Sequence, residues 1–427
     1  MRDKMGWLKN QDLGLPPIFY SGDQLFDSLH RPDLLQRSLE TGKTTTELAQ
    51  ELNLHFDLQD ALRGTPVVRI AEFKDGSSVE TPEISVHVIA TDLGHGVHNL
   101  ALYHNGKRVP EAGPMVKVRN GEQAYEKVFV ISMIPGVNSL MAQAANEKKT
   151  LSSPAEIKLN YQGVQVSSTL HILAIGLNHY ANPKYNLTYC VPDIEATAKA
   201  FQQRAGGLFA EVKLHTLTDD QATKVNLQAK FAELAKTVKP SDLFILCYAG
   251  HGVMGEPLKK GDDAMFYLVP HDVTRLYGDP ELLAEKAVSR TDLQDWCAAV
   301  PARKQLMLLD TCQSGGLVDS YAMRGAAEEK ALAQLARATG TVVIASTGAE
   351  AFARESKTIG HGIFTQVVLD GLNDAKADGN KDGKITVKEL ETYISEAVPE
   401  LSKKLTNTPQ FPTSYARGQD FPIGIVK

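Results

Sequence analysis

DLFILCYAGHG (242–252) and KQLMLLDTCQSGG (304–316) decide how this chain is read. Each carries an apolar run, LFILCYA (243–249) and LMLL (306–309), and closes on polar residues set among glycines. That pattern belongs to a strand buried on both faces. Working outward, the chain from Thr169 to Leu372 alternates strand and helix. Strands are expected at 170–176, 211–217, 242–250, 304–310 and 341–347, and helices at 193–204, 225–238, 290–300, 328–338 and 362–372. Alternation of this kind specifies a mostly parallel sheet with helices on both faces. FPIGIV (421–426) is expected to add an edge strand.

In open α/β sheets the reacting groups gather beyond the carboxyl ends of the strands. His251 and Cys312 both fall there, each in a glycine-rich turn. Alone, a cysteine usually fills a core and a histidine usually satisfies a polar network. Together at one rim they suit nucleophilic catalysis. A thiol attacks only as its thiolate, and a neighbouring imidazole supplies the base and later protonates the departing amine. The backbone N–H groups of Gly252 and Cys312 are the candidate oxyanion donors. Asp310 lies two residues before the cysteine, and Asp193 starts the first helix of this region. Two carboxylates at the rim favour a cationic side chain on a substrate. Asp193 equally suits a helix N-cap, and Asp310 a strand-end carboxylate bonded to backbone N–H groups.

YAGHG (248–252) with DTCQSGG (310–316), each following a strand, resembles the caspase-like cysteine peptidases, in particular the metacaspase and bacterial caspase-homologue branch. LAIGLNHY (173–180), YCVPDIEA (189–196) and GHGIFTQVVLDGL (360–372) extend the resemblance. It implies a caspase-like α/β fold with His251 as general base, Cys312 as nucleophile and Gly252 as the oxyanion-hole glycine. It also implies that Asp193 and Asp310 line the primary specificity pocket, with Cys190 nearby. Cleavage is then expected after Arg or Lys in protein or peptide substrates, with no cofactor required for the chemistry. Pro192 stands where Asn is common in the family, and Ala249 where a small hydroxyl residue is common. Those departures bear on a pocket hydrogen bond and leave the charge intact. Relatives carry an inter-subunit linker after the nucleophile strand, so the loop expected at 318–330 makes Arg324 the candidate for self-processing. The competing readings are a non-enzymatic interaction protein with a calcium-sensing loop, and a caspase-like protease of acidic specificity.

Upstream the rhythm differs. Residues 1–62 read as a polar helical lead-in, with leucines at helical spacing in 33–39 and 44–54. Residues 63–162 switch to period two: EISVHVIAT (83–91), NLALYHNGKRV (99–109), KVFVISMIPG (127–136), NSLMAQAANE (138–147) and EIKLNY (156–161). Short alternating strands with turn residues between them suggest an immunoglobulin-like β-sandwich preceding the α/β domain at 163–427. It is similar to the β-domain that precedes caspase-like domains in some bacterial multidomain proteins, which implies a positioning module for a partner or an upstream sensor region.

Composition narrows the partners. The 427 residues are 43% hydrophobic and 22% charged, with a net charge of -6. An acidic balance argues against nucleic acid and anionic membranes as partners. No apolar run reaches membrane-span length. Four scattered cysteines form neither CxxC pairs nor a disulfide framework, so a reducing compartment, the cytoplasm, is expected. His271, Cys247 and Cys297 fit no zinc-site spacing.

A second motif lies near the end. Residues 378–389, DGNKDGKITVKE, fit the twelve-residue EF-hand loop. Asp378, Asn380, Asp382 and Glu389 supply oxygens, Lys384 a carbonyl and Thr386 a side-chain or water contact. Gly383 takes the sharp turn, and Ile385 is expected to cross to a hydrophobic neighbour. Ca²⁺ is the candidate ligand, although such loops usually work in pairs and a single one is present.

Overall fold

A computed structural model describes residues 22–25, 34, 37–38, 41–51, 62, 64–111, 113–118, 123–164, 167–256, 258, 265–313, 321–346, 355–356, 359–415 and 420–426. For residues 22–23, 312–313, 321–327 and 355–356 the description is of the backbone alone. The chain divides into two compact units, residues 1–104 with 109–162 and residues 105–108 with 163–427.

In the first unit, α1 (Thr45–Glu51) starts on a capping box. The Thr44 hydroxyl accepts the Glu47 N–H and the Glu47 carboxylate accepts the Thr44 N–H. Most of the remaining helical lead-in expected over 1–62 lies outside the described residues. The strands are β1 (Val67–Ile70), β2 (Ser78–Val79), β3 (Glu83–Thr91), β4 (His98–His104), β6 (Val116–Lys117), β7 (Ala124–Ser132), β8 (Gly136–Ala145) and β9 (Ala155–Tyr161); β5 (Lys107–Arg108) falls in the stretch grouped with the second unit. Those of the first unit form two sheets, β1-β3-β7-β6 and β2-β9-β8-β4. The period-two pattern explains the layering. Alternate residues of β3 and β7, among them Val86, Val88, Phe129 and Ile131, meet Leu102, Leu140, Ala142 and Leu159 of the other sheet in one core. Asn105 and Gly106, with φ of 52° and 87°, make the left-handed pair that a two-residue hairpin turn requires.

The second unit holds the mixed sheet. Its strands are β10 (Thr169–Gly176), β11 (Glu211–Thr218), β12 (Leu243–Gly255), β13 (Met265–Leu268), β14 (Val288–Ser289), β15 (Lys304–Gln313), β16 (Val342–Ala345), β17 (Glu355–Ser356), β18 (His361–Gly362), β19 (Lys384–Thr386), β20 (Thr413–Tyr415) and β21 (Pro422–Ile425). Its helices are α2 (Cys190–Arg204), α3 (Lys224–Thr237), α4 (Pro280–Lys286), α5 (Arg290–Ala299), α6 (Tyr321–Thr339), α7 (Ile363–Asn373) and α8 (Val387–Thr406). The main path runs β11-β10-β12-β15-β16-β20, with β13 and β14 attached beside β12. All neighbours on the path are parallel except β20, which runs antiparallel to β16. Phe244, Leu246 and Tyr248 of β12 face the layer with Phe231, Leu293 and Leu335 of α3, α5 and α6. Ile245, Cys247 and Ala249 face Phe201, Val367 and Ile394 of α2, α7 and α8.

Three elements depart from the sequence expectation. The two central strands do not stop at 250 and 310; β12 runs to Gly255 and β15 to Gln313, because 252–255 find an antiparallel partner in β13. FPIGIV does not edge the main sheet. Its β21 pairs with β19, and this pairing covers Ile385, which is fully buried opposite Gly424. Residues 321–330 are not loop but the first turns of α6, so Arg324 is helical. Among the described residues no helix is long and apolar enough to cross a membrane.

Candidate active site

β12 and β15 are adjacent and parallel, and their register pairs His251 with Cys312. Neighbouring strands lie about 4.8 Å apart, so the two residues are side by side on the ladder. Ile245, Cys247 and Ala249 of β12, and Leu306 and Leu308 of β15, face α2 and α7; residues 251 and 310 continue the same two-residue periods.

His251 is buried and held from several sides. Its Nε2–H donates to the Tyr185 carbonyl at 2.8 Å. A neutral imidazole that donates through Nε2 carries its lone pair on Nδ1, so Nδ1 is the basic atom. The His251 backbone N–H donates to the Tyr180 hydroxyl at 2.9 Å, and the Tyr180 ring packs on the imidazole at 5.0 Å between centroids. The Tyr248 hydroxyl donates to the His251 carbonyl at 2.8 Å. Gly250 makes room for this cluster. A methyl group there would stand 2.8 Å from the Tyr248 hydroxyl and 2.9 Å from the Tyr180 hydroxyl. Gly250→Ala is therefore expected to displace Tyr180 and strip the acceptor from the buried His251 N–H, at a cost of about 1–3 kcal/mol. Chemical denaturation checks the size, and the His251 ring resonances in NMR check the place.

The carboxylates meet on the same face. Asp193 is not the helix cap, since Tyr189 occupies the N-cap position of α2. Instead its side chain turns to β18: Oδ1 accepts His361 Nδ1–H at 2.6 Å, and Oδ2 accepts the Gly362 N–H at 3.0 Å. Asp310 Oδ2 accepts the Thr365 hydroxyl at 2.8 Å. A methyl group on Gly362 would lie 3.0 Å from Asp310 Oδ2 and 3.1 Å from Asp193 Oδ2, so both carboxylates come close to this glycine. Burial, together with the charge of Asp310, pushes the Asp193 carboxyl up to about 7. Cys190, also buried, is the first residue of α2 and precedes Asp193 by one helical turn. At the far end of α2, Arg204 Nε–H donates to the Leu372 carbonyl at 2.7 Å, and its Nη2 to the Asn373 carbonyl. Helices α2 and α7 are thus fastened at both ends.

The other cysteines provide a contrast. Cys247 and Cys297 lie in the core, and burial pushes both thiols up to about 12. Neither is a nucleophile at neutral pH. His361, Thr365, Tyr180 and Tyr185 are site residues that reading for nucleophiles and bases passes over. Their only signal is position, within GHGIFT (360–365) and LNHYANPKY (177–185).

The loop at 378–389 follows α7 and runs into the first turn of α8. Asp378 Oδ1 accepts the Asp382 N–H, and its Oδ2 the Gly383 N–H. Glu389 Oε2 accepts the Thr386 N–H at 2.9 Å, which completes the cap of α8. Gly383 has a φ of 82°, the left-handed turn expected at this position. An all-oxygen donor set on one loop suits a hard cation such as Ca²⁺. Among the described residues, however, no three His, Cys, Asp or Glu side chains stand ready-grouped around a metal position. Any bound cation would therefore draw on Asn380 and the Lys384 carbonyl as well.

The second unit is thus a mostly parallel sheet flanked by helices, with residues 251 and 312 paired across its central strands. The caspase-domain family pattern matches residues 170–419, and the chain belongs to that family. Metacaspase-7 of Arabidopsis thaliana is 29% identical over 205 residues, covering 46% of this chain and 45% of the relative. Metacaspase-4 of the same plant is 29% identical over 161 residues, covering 35% of each. The chain thus spans less than half the length of these curated relatives. Among solved structures, protein GSU0716 of Geobacter sulfurreducens aligns over 61% of this chain and all of its own, with 18% identity and a TM-score of 0.41.

Proposed function

We propose that the chain is a cysteine endopeptidase that cleaves after arginine or lysine, with Cys312 as nucleophile and His251 as base. The pairing of residues 251 and 312 across the central ladder carries this reading. Nδ1 of His251 takes the thiol proton, and the thiolate bonds to the peptide carbonyl carbon. The carbonyl electron pair moves onto oxygen, where the N–H groups of Gly252 and Cys312 receive it. Collapse breaks the C–N bond, and the leaving amine takes the proton from the imidazolium. A water, deprotonated by the same ring, then attacks the thioester, and the thiol is restored. No cofactor enters these steps.

Asp193 and Asp310, with Cys190 beside them, form the specificity pocket in this reading. Two buried carboxylates repel an acidic side chain and attract a basic one. Profiling cleavage of a peptide library, with Cys312→Ala as the blank, tests the proposal. Cuts after Arg and Lys are expected; cuts dominated by Asp or Glu would replace it with acidic specificity. Self-processing after Arg324 belongs to the same reading and requires the first turn of α6 to unwind, since proteases take their substrates extended. The N-terminal sandwich, of immunoglobulin type, then serves to position a partner or an upstream sensor region, and the cytoplasm is the site of action.

Asp378, Asn380, Asp382, the Lys384 carbonyl and Glu389 would hold Ca²⁺, which fixes the loop without taking part in the chemistry. Isothermal titration is expected to give one Ca²⁺ per chain, lost in Asp378→Ala. An unchanged isotherm in that variant removes the loop from the account.

A further inference from the structure

His361 has no place in the chemistry just described, yet it makes the shortest polar contact in the pocket. Its imidazole sits 2.6 Å from Asp193 Oδ1, while the adjoining Gly362 N–H takes Oδ2. Both oxygens of this carboxylate are therefore engaged from β18 alone. The Asp193 side chain is 4% exposed and that of His361 25%, so the histidine stands between the buried carboxylate and the surface. Asp310 Oδ2 lies near the same position, 3.0 Å from where a methyl group on Gly362 would stand, and has the Thr365 hydroxyl as a partner.

The charged groups acting on Asp193 are thus Asp310 from β15 and His361 from β18, with the Gly362 N–H beside them. Glu355 of β17 pairs with Gly362 through the backbone ladder. Two like charges in a buried site do not both stay ionised without a compensating donor or cation. Thr365 offers Asp310 a neutral donor. His361 and Gly362 offer Asp193 two donors, one of them able to carry a positive charge.

We propose that His361 is a positioning residue for specificity: its Nδ1–H orients Asp193 and favours its ionised form beside Asp310, and so sets the attraction of the pocket for a basic side chain. The inference rests on the pocket reading above and deepens it. It follows that Asp193 gains its negative charge as the pH rises through its transition near 7. With the imidazole removed, that transition moves upward, because burial and Asp310 then act against fewer donors.

The test compares two matched substrates, one with arginine and one with citrulline at the cleaved position. They share shape and differ in charge, so the ratio of their kcat/KM values reads the pocket charge. His361→Ala is expected to lower the Arg:citrulline ratio about tenfold at pH 7, mostly through KM, and to move the acid limb of kcat/KM for the arginine substrate upward by about one unit. The citrulline substrate is the reference within each variant, so any general loss of activity cancels in the ratio. His361→Asn places an amide N–H where Nδ1 stood and is expected to restore the ratio; His361→Gln, whose amide matches Nε2 instead, is not. This Asn–Gln pair decides the matter even if the alanine variant fails to fold. An unchanged ratio in His361→Ala and His361→Gln overturns the proposal. So does a ratio that rises in His361→Ala, which would make the imidazole a plug in the pocket. A wild-type ratio near one overturns the basic-pocket reading itself, whatever the variants do.

Discussion

Cys312→Ala is expected to lose all measurable hydrolysis of arginine and lysine peptides, a drop of about ten-thousandfold or more. Alanine leaves the β12–β15 ladder intact, because the pairing of residues 251 and 312 uses backbone groups. The variant should therefore fold as the wild type does and differ only in lacking a nucleophile. His251→Ala is expected to fall comparably, since without the base the thiol is mostly protonated at neutral pH. The double variant should be no worse than either single one, because two residues acting as a unit are not additive. A fluorogenic assay with matched circular dichroism spectra checks all three. Retained activity in Cys312→Ala would sink the proposed chemistry, and additive losses would separate the two residues into independent roles.

Asp193→Asn is expected to lower kcat/KM for arginine peptides about a hundredfold, which corresponds to losing one buried charge pair of roughly 2–3 kcal/mol. Neutral peptides should be affected far less. The same substitution carries a stability signature of predictable sign. Asp193 is raised from an unfolded value of 3.8 to about 7, so between those pH values the folded chain binds the extra proton. Folding stability from this group is present at low pH and is lost as the pH climbs through the window. The asparagine variant lacks that loss, so its Tm should gain on the wild type between pH 5 and pH 8. Parallel melting curves across that range would expose a misassigned carboxylate.

The sequence made the second unit legible because its strands are buried on both faces, and unbroken apolar runs such as LHILAIG have few other uses. The His and Cys motifs were legible for a related reason: strand ends in a parallel sheet are where chemistry gathers. What stayed hidden were pairings between distant segments. Nothing local in FPIGIV says that it will cover Ile385 rather than edge the sheet. Nothing in GHG says that its histidine will meet a carboxylate 168 positions earlier. MFYL (265–268) carries little periodic signal in four residues, although as β13 it extends β12 to Gly255. Arg324 was misplaced because a loop was inferred from the family's linker, while alanine-rich 325–333 favours helix.

Residues 310 and 312 ride on one strand, two positions apart. A strand advances about 3.3 Å per residue, so roughly 6.6 Å of stiff backbone separates them. In the proposed enzyme that span acts as a ruler between the reacting sulfur and the pocket's negative end. A side chain would be chosen by its reach as well as its sign, and shorter amines such as ornithine or diaminobutyrate would stop short of the mark.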